Sequence, residues 1–103
     1  MVKITWSKQA IEDIYRIQVY YSSFSEKFSE NLVDQIFEKE NLIIEHPEIG
    51  RIVPELNNKN IREIIFRNFR IIYVIFDLQR ISILTIHQSS RPLTSISIFD
   101  WRR

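Results

Sequence analysis

Apolar and polar residues alternate at the start of the chain, where Val2, Ile4 and Trp6 are separated by polar side chains. This period of two predicts a short strand. After Ser7 the apolar residues are spaced four, three, four and three positions apart, which is typical of a helix: Ala10, Ile14, Ile17, Tyr21 and Phe24. Serine is a common helix-capping residue, so we expect the first helix to begin directly after Ser7.

A second helix is predicted from Ser25, which can cap it, to about Glu45. Its inward positions have helical spacing: Phe28, Leu32, Ile36 and Ile43. Pro47 stops this helix because the residue before a proline disfavours the helical conformation. The loop between the two helices is short, so we expect them to form an antiparallel hairpin.

Three strands are predicted in the second half of the chain, at residues 61–66, 69–76 and 80–87. Arg67 and Asn68 suit a tight two-residue turn, in which Asn68 can take a positive φ. A second turn at residues 77–79 makes the three strands an antiparallel meander. The alternation of residues after Pro92 fits either an edge strand or a short helix.

The predicted order of elements is therefore β-α-α-β-β-β, in one domain over residues 1–103. This is an α+β fold with the helical hairpin packed on one face of an antiparallel sheet. The strand at 69–76 is apolar on both faces, and two helices can cover only one of them. We expect the second face to meet the C-terminal tail, a partner protein or water.

Composition excludes several classes of site. The chain has no cysteine, so disulfides, thiolate metal sites and a cysteine nucleophile are excluded. It has one glycine, which rules out glycine-rich phosphate loops. No metal-ligand spacing is present, so we expect no cofactor. No signal peptide or membrane-spanning run is seen, which favours the cytoplasm.

Charge is distributed unevenly along the chain. Residues 1–50 carry five basic and nine acidic side chains, whereas residues 51–103 carry nine basic and four acidic ones. A basic half favours an anionic partner. The alternative interpretation is that the two halves pair their charges with each other.

The candidate chemistry lies at the strand ends. Arg70 begins one predicted strand and His87 ends the next, so an antiparallel pairing makes them neighbours. A histidine or glutamate can move protons, and guanidinium groups can stabilise phosphate charge, which together could cleave RNA without a metal. The alternatives are a locally hydrogen-bonded His87 and, for Glu63, a structural ion pair.

Four segments in this order resemble the RelE/ParE family of toxins from type II toxin–antitoxin systems: GRIVPEL (50–56), NIREI (60–64), FRIIYVI (69–75) and ILTIHQSSRPL (83–93). The spacing of Trp6, Ala10, Asp13 and Ile14 fits as well. The resemblance implies a toxin that is neutralised by a small antitoxin protein. It also implies either cleavage of mRNA on the ribosome or inhibition of DNA gyrase.

The resemblance places a possible catalytic set at Glu55, Arg62, Arg70 and His87, with Arg91 as a further cation. The prediction is therefore a ribosome-dependent mRNA-cleaving toxin. The alternatives are a gyrase inhibitor without nuclease activity and a non-toxic binding module. Two departures favour the gyrase alternative: no lysine cluster precedes the meander, and Gln88 follows His87 where some of the nucleases have tyrosine.

Overall fold

The computed structural model describes residues 2–89, which form two helices on one face of a five-stranded sheet. The strands lie in the order β1-β5-β4-β3-β2. In chain order, the elements are β1 (Lys3–Trp6), α1 (Lys8–Ser22), α2 (Glu26–Glu45), β2 (Arg51–Ile52), β3 (Ile61–Phe66), β4 (Phe69–Asp77) and β5 (Arg80–Gln88). The predicted α+β fold is confirmed. The predicted strand or helix after Pro92 lies outside the described residues.

Both helices are capped by the predicted serines, Ser7 and Ser25. The Ser7 hydroxyl accepts a hydrogen bond from the Ala10 amide at 3.0 Å, and the Ser25 hydroxyl accepts one from the Phe28 amide at 3.2 Å. Each bond satisfies an amide that has no partner within its helix. Neither helix is long and apolar enough to cross a membrane, within the part of the chain that the structure describes.

The sheet is mixed, whereas an antiparallel one was predicted. β1 pairs with β5 in parallel, from Lys3 opposite Arg80 to Trp6 opposite Ile83, and the other strand pairs are antiparallel. Parallel neighbouring strands need a long connection, and the helical hairpin and the strands before β5 provide one between β1 and β5. The two-residue β2 was not predicted, because a strand so short leaves no alternation to detect.

The turn between β3 and β4 differs from the prediction in one residue. Arg67, and not Asn68, has the positive φ, at 55°. Its guanidinium lies 5.6 Å from the ring centres of Phe28 and Phe66. These two cation–π contacts help to offset the strain of a left-handed arginine.

The main core lies between the helices and the sheet. Its buried residues come from both layers: Ala10, Ile14, Leu32, Ile36 and Ile43 from the helices, and Phe69, Ile71, Tyr73, Ile81, Ile83 and Ile86 from the strands. Asp13 fixes α1 on β5, since its Oδ2 accepts hydrogen bonds from the Thr85 hydroxyl at 2.5 Å and the Ile86 amide at 3.0 Å. These bonds lie at a register irregularity in β5, which they help to hold.

The second face of the sheet has its own apolar cluster. Strand residues Ile61, Ile72, Val74 and Leu84 pack there with Val53 and Leu56 from the segment after β2. This packing was not predicted, because residues 53–60 were given no role in the core. Ile65 remains half-exposed at the same face, beside the start of β4.

Candidate functional site

Arg70 and His87 lie directly opposite each other in the β4–β5 ladder, as was predicted from their positions at the ends of neighbouring strands. Ile65 of β3 pairs with Arg70 on the other side. The side chains of directly paired residues lie on the same face of a sheet, so Arg70, His87 and Ile65 share the second face. His87 is half-buried there.

The Arg70 guanidinium is held by two carboxylates. Its Nε donates to Glu63 Oε1 at 2.6 Å. Its Nη1 and Nη2 donate to the two oxygens of Glu55, both at 2.7 Å, in a bidentate pair. Only 10% of the Arg70 side chain is exposed. The guanidinium is therefore buried and compensated by carboxylates on two sides.

Glu63 joins this arginine to a second one. Its side chain is fully buried, and its Oε2 accepts a hydrogen bond from Arg51 Nε at 2.5 Å. We call Arg51, Glu55, Glu63 and Arg70 the Arg70 cluster; two cations and two anions give it no net charge. The interpretation of Glu63 as a structural ion-pair partner is confirmed.

The cluster shifts the pKa values of two of its members. The hydrogen bonds from Arg70 are the main reason that the pKa of Glu55 falls from 4.5 to about 2. The same contact with Glu55 is the main cause that raises the pKa of Arg70. Glu55 is therefore a carboxylate held ionised, with little affinity for a proton near neutral pH.

Arg62 lies on the opposite face of the sheet. It pairs with Tyr73, which belongs to the core under the helices. Its guanidinium donates to the backbone carbonyls of Lys59, Gly50 and Glu48 at 2.8, 3.1 and 3.3 Å. The structure therefore does not bring Arg62, a member of the possible catalytic set, to the sheet face that holds Arg70 and His87. Arg91 lies outside the described residues.

Gly50 was read only as part of a turn, and the structure gives it a packing role. A Cβ at this position would lie 2.7 Å from the Glu63 carbonyl oxygen and 2.8 Å from the Tyr73 hydroxyl. The Gly50 amide donates to that hydroxyl at 3.0 Å, and the hydroxyl donates to the Pro47 carbonyl at 2.7 Å. Burial raises the pKa of Tyr73, so the phenol stays protonated. The sequence signal for this packing role was that Gly50 is the single glycine of the chain and lies directly before Arg51.

An open pocket of about 840 Å³ lies beside Arg62. It is bordered by the end of α2, the segment before β3 and the turn after β4, with Ile49, Phe76 and Leu78 among its apolar walls. This pocket was not predicted from the sequence. Within residues 2–89, no three histidine or carboxylate side chains are grouped so that they could hold a metal ion.

The fold of this chain is similar to that of a solved structure. A solved structure described as "Chromosomal ParDE TA system from P. aeruginosa" has the same fold, with a TM-score of 0.71 and 19% sequence identity. The match covers 85% of this chain and 96% of that one. No curated protein matches the chain significantly.

The family model described as "ParE toxin of type II toxin-antitoxin system, parDE" matches residues 4–93. The chain therefore belongs to the ParE toxin family. The resemblance to RelE/ParE toxins that was found in the sequence is confirmed.

Proposed function

We propose that this chain arrests growth by binding and inhibiting DNA gyrase, and that it does so without cleaving mRNA. The supporting observation is the charge balance of the Arg70 cluster, in which the Arg70 guanidinium already forms ion pairs with Glu55 and Glu63. The ParE family model agrees with this choice over ribosome-dependent cleavage. We place this activity in the cytoplasm.

Metal-free RNA cleavage needs a proton acceptor with a pKa near neutral and cations that are available to the phosphate. Glu55, with a pKa of about 2, is a poor acceptor at neutral pH. Arg70 has its Nε and both Nη atoms bonded to carboxylates, and Arg62 is on the other face. A surface that binds a protein target needs none of these groups to react.

Two assays on the purified chain test the proposal. We expect inhibition of gyrase supercoiling, and no new cleavage sites in translated mRNA by primer extension. Cleavage without any effect on supercoiling would reverse the assignment. Expression that leaves growth unaffected would instead favour a non-toxic binding module.

Cleavage of mRNA on the ribosome is the second candidate, and the pairing of Arg70 with His87 favours it. The variant His87→Ala separates the two functions, because its side chain is half-buried and the change removes no residue of the Arg70 cluster. A nuclease would lose growth arrest in this variant, whereas a gyrase inhibitor would keep it. The matched control is Gln88→Ala, one position further along β5.

We also propose that a cognate antitoxin covers the second sheet face with an acidic, partly disordered segment. Ile65 is half-exposed there, and 62% of the Arg51 side chain is open to solvent. Acidic residues of such a segment would complement this cation. Co-expression with a small acidic protein encoded next to the gene tests this, with relief of growth arrest as the expected result. Ile65→Asp should weaken neutralisation, whereas Leu78→Asp, on the turn after β4, should not.

A further inference from the structure

The outer side of α1 carries a stripe of exposed apolar residues. Ile11, Tyr15 and Val19 are spaced four positions apart and are 47%, 65% and 51% exposed. The opposite side of the helix holds the buried Ala10 and Ile14. This stripe therefore contributes little to the core, and an exposed apolar stripe of this kind is typical of a contact surface.

The neighbouring helix carries a row of exposed carboxylates. Glu26, Glu30, Asp34 and Glu38 also recur every fourth position, so they lie along one side of α2. None of them forms an ion pair with another residue in the described range 2–89. Like charges at this spacing repel each other in the free chain, and a basic partner would relieve that repulsion.

The apolar stripe and the acidic row run alongside each other. Ser29 of α2 donates to the Gln18 carbonyl near the end of α1, at 2.8 Å. At the other end, Trp6, just before α1, packs on Phe37 at 4.9 Å and donates to Glu40 at 2.7 Å. The segment of α2 from 29 to 40 is thus antiparallel to α1 and beside it, which puts both features on the outer hairpin face.

We propose that the outer hairpin face, formed by Ile11, Tyr15, Val19, Glu26, Glu30, Asp34 and Glu38, binds the target of the toxin. The target presents an apolar surface that is bordered by lysine and arginine side chains. Nucleic acid is disfavoured here because its phosphates would meet the carboxylate row. The acidic antitoxin segment is disfavoured for the same reason, so antitoxin and target use different faces. This inference rests on the proposed function as a toxin with a protein target.

The apolar half of the surface is tested with Tyr15→Ala, and its matched control is Leu78→Ala at a more exposed residue far from α1. Tyrosines at the centre of an interface often carry much of the affinity. We expect Tyr15→Ala to bind purified DNA gyrase about tenfold more weakly and to lose growth arrest. Leu78→Ala should behave like the unmodified chain. Urea unfolding midpoints of both variants should match it, because both side chains are mostly solvated.

The charged half is tested with Asp34→Lys, and Glu45→Lys is the matched charge reversal at the end of the same helix. Asp34→Lys should weaken binding several-fold at low salt, with the difference shrinking as salt screens the surface. Glu45→Lys should leave binding unchanged at every salt concentration.

Three results separate the possible failures. Growth arrest that persists in both Tyr15→Ala and Asp34→Lys overturns the assignment of this face. Loss of growth arrest in both, when the unmodified chain neither binds nor inhibits gyrase, overturns the proposed function but supports a different basic target. A dimer of the unmodified chain that Tyr15→Ala converts to a fully toxic monomer would show that the face binds a second copy, and would also overturn the inference.

Discussion

Arg62 and Arg70 lie in neighbouring strands and are almost equally buried, with 17% and 10% of their side chains exposed, but their charges are balanced differently. Arg70 bonds to two carboxylates, whereas Arg62 bonds to three backbone carbonyls and lies 3.7 Å from the exposed Glu48 carboxylate. A buried guanidinium can thus be accommodated by opposite charge or by fixed dipoles.

The difference lies in what each arginine would leave behind if it were removed. Without Arg70, the fully buried Glu63 keeps only Arg51, which is mostly solvated. Without Arg62, three neutral carbonyls remain, and two of those bonds lie at the surface where water can replace them. The structural role of Arg70 is therefore expected to be the stronger of the two.

Replacing Arg70 with methionine should have the largest effect on stability. Arg70→Met keeps much of the apolar stem and removes the charge beside Glu63, so we expect a loss of about 3–5 kcal/mol in the free energy of unfolding. Urea unfolding at neutral pH measures it. The double variant Arg70→Met/Glu63→Gln should recover part of the loss, because the buried carboxylate is gone. A single variant as stable as the unmodified chain would contradict this account of the cluster.

Replacing Arg62 with methionine should cost less. Arg62→Met removes hydrogen bonds to three carbonyls but leaves no buried charge, so we expect a loss of about 1–2 kcal/mol. The measurement is the same urea titration, with Lys3→Met as a control at an exposed position of β1. A loss equal to that of Arg70→Met would show that dipoles and carboxylates compensate these arginines equally, and would remove the contrast between the two sites.

The placement of Arg62 and Arg70 on opposite faces of the sheet could be predicted from the sequence, but it was missed. A two-residue turn at 67–68 pairs Arg62 with Tyr73 and Ile65 with Arg70, as observed. Since alternate residues of a strand face opposite sides, Arg62 and Arg70 could not share a site. Applying that alternation across the hairpin would have excluded Arg62 beforehand.

The role of Glu55 could not be predicted in the same way. It lies in the irregular segment between β2 and β3, where no periodicity relates sequence to direction, and only the folded path brings it to Arg70. The parallel pairing of β1 with β5 could not be predicted from local patterns either, because it joins residues that are far apart in sequence. In contrast, helix starts depend on local capping, and the prediction of Ser7 and Ser25 as caps is confirmed.

Removing the charge of Glu55 should have the smallest effect on the free energy of unfolding. The pH dependence of that effect shows whether it comes from the ion pair with Arg70. The folded-state pKa of about 2 lies below the ordinary 4.5, so the unfolded chain binds the proton first as pH falls. The stabilisation is complete above pH 4.5 and is lost on approach to pH 2. Because 44% of the Glu55 side chain is exposed, water screens the pair and the effect is modest.

Urea unfolding of Glu55→Gln across this pH range tests that expectation. At pH 7 the variant should be slightly less stable than the unmodified chain, and the two should converge as the pH is lowered from 4.5 to 2. Glu12→Gln is the matched control, since this exposed carboxylate forms no ion pair in the described part of the chain. A constant difference at every pH would mean that Glu55 supports Arg70 through packing and hydrogen bonding alone, which would make its role resemble that of the carbonyls around Arg62.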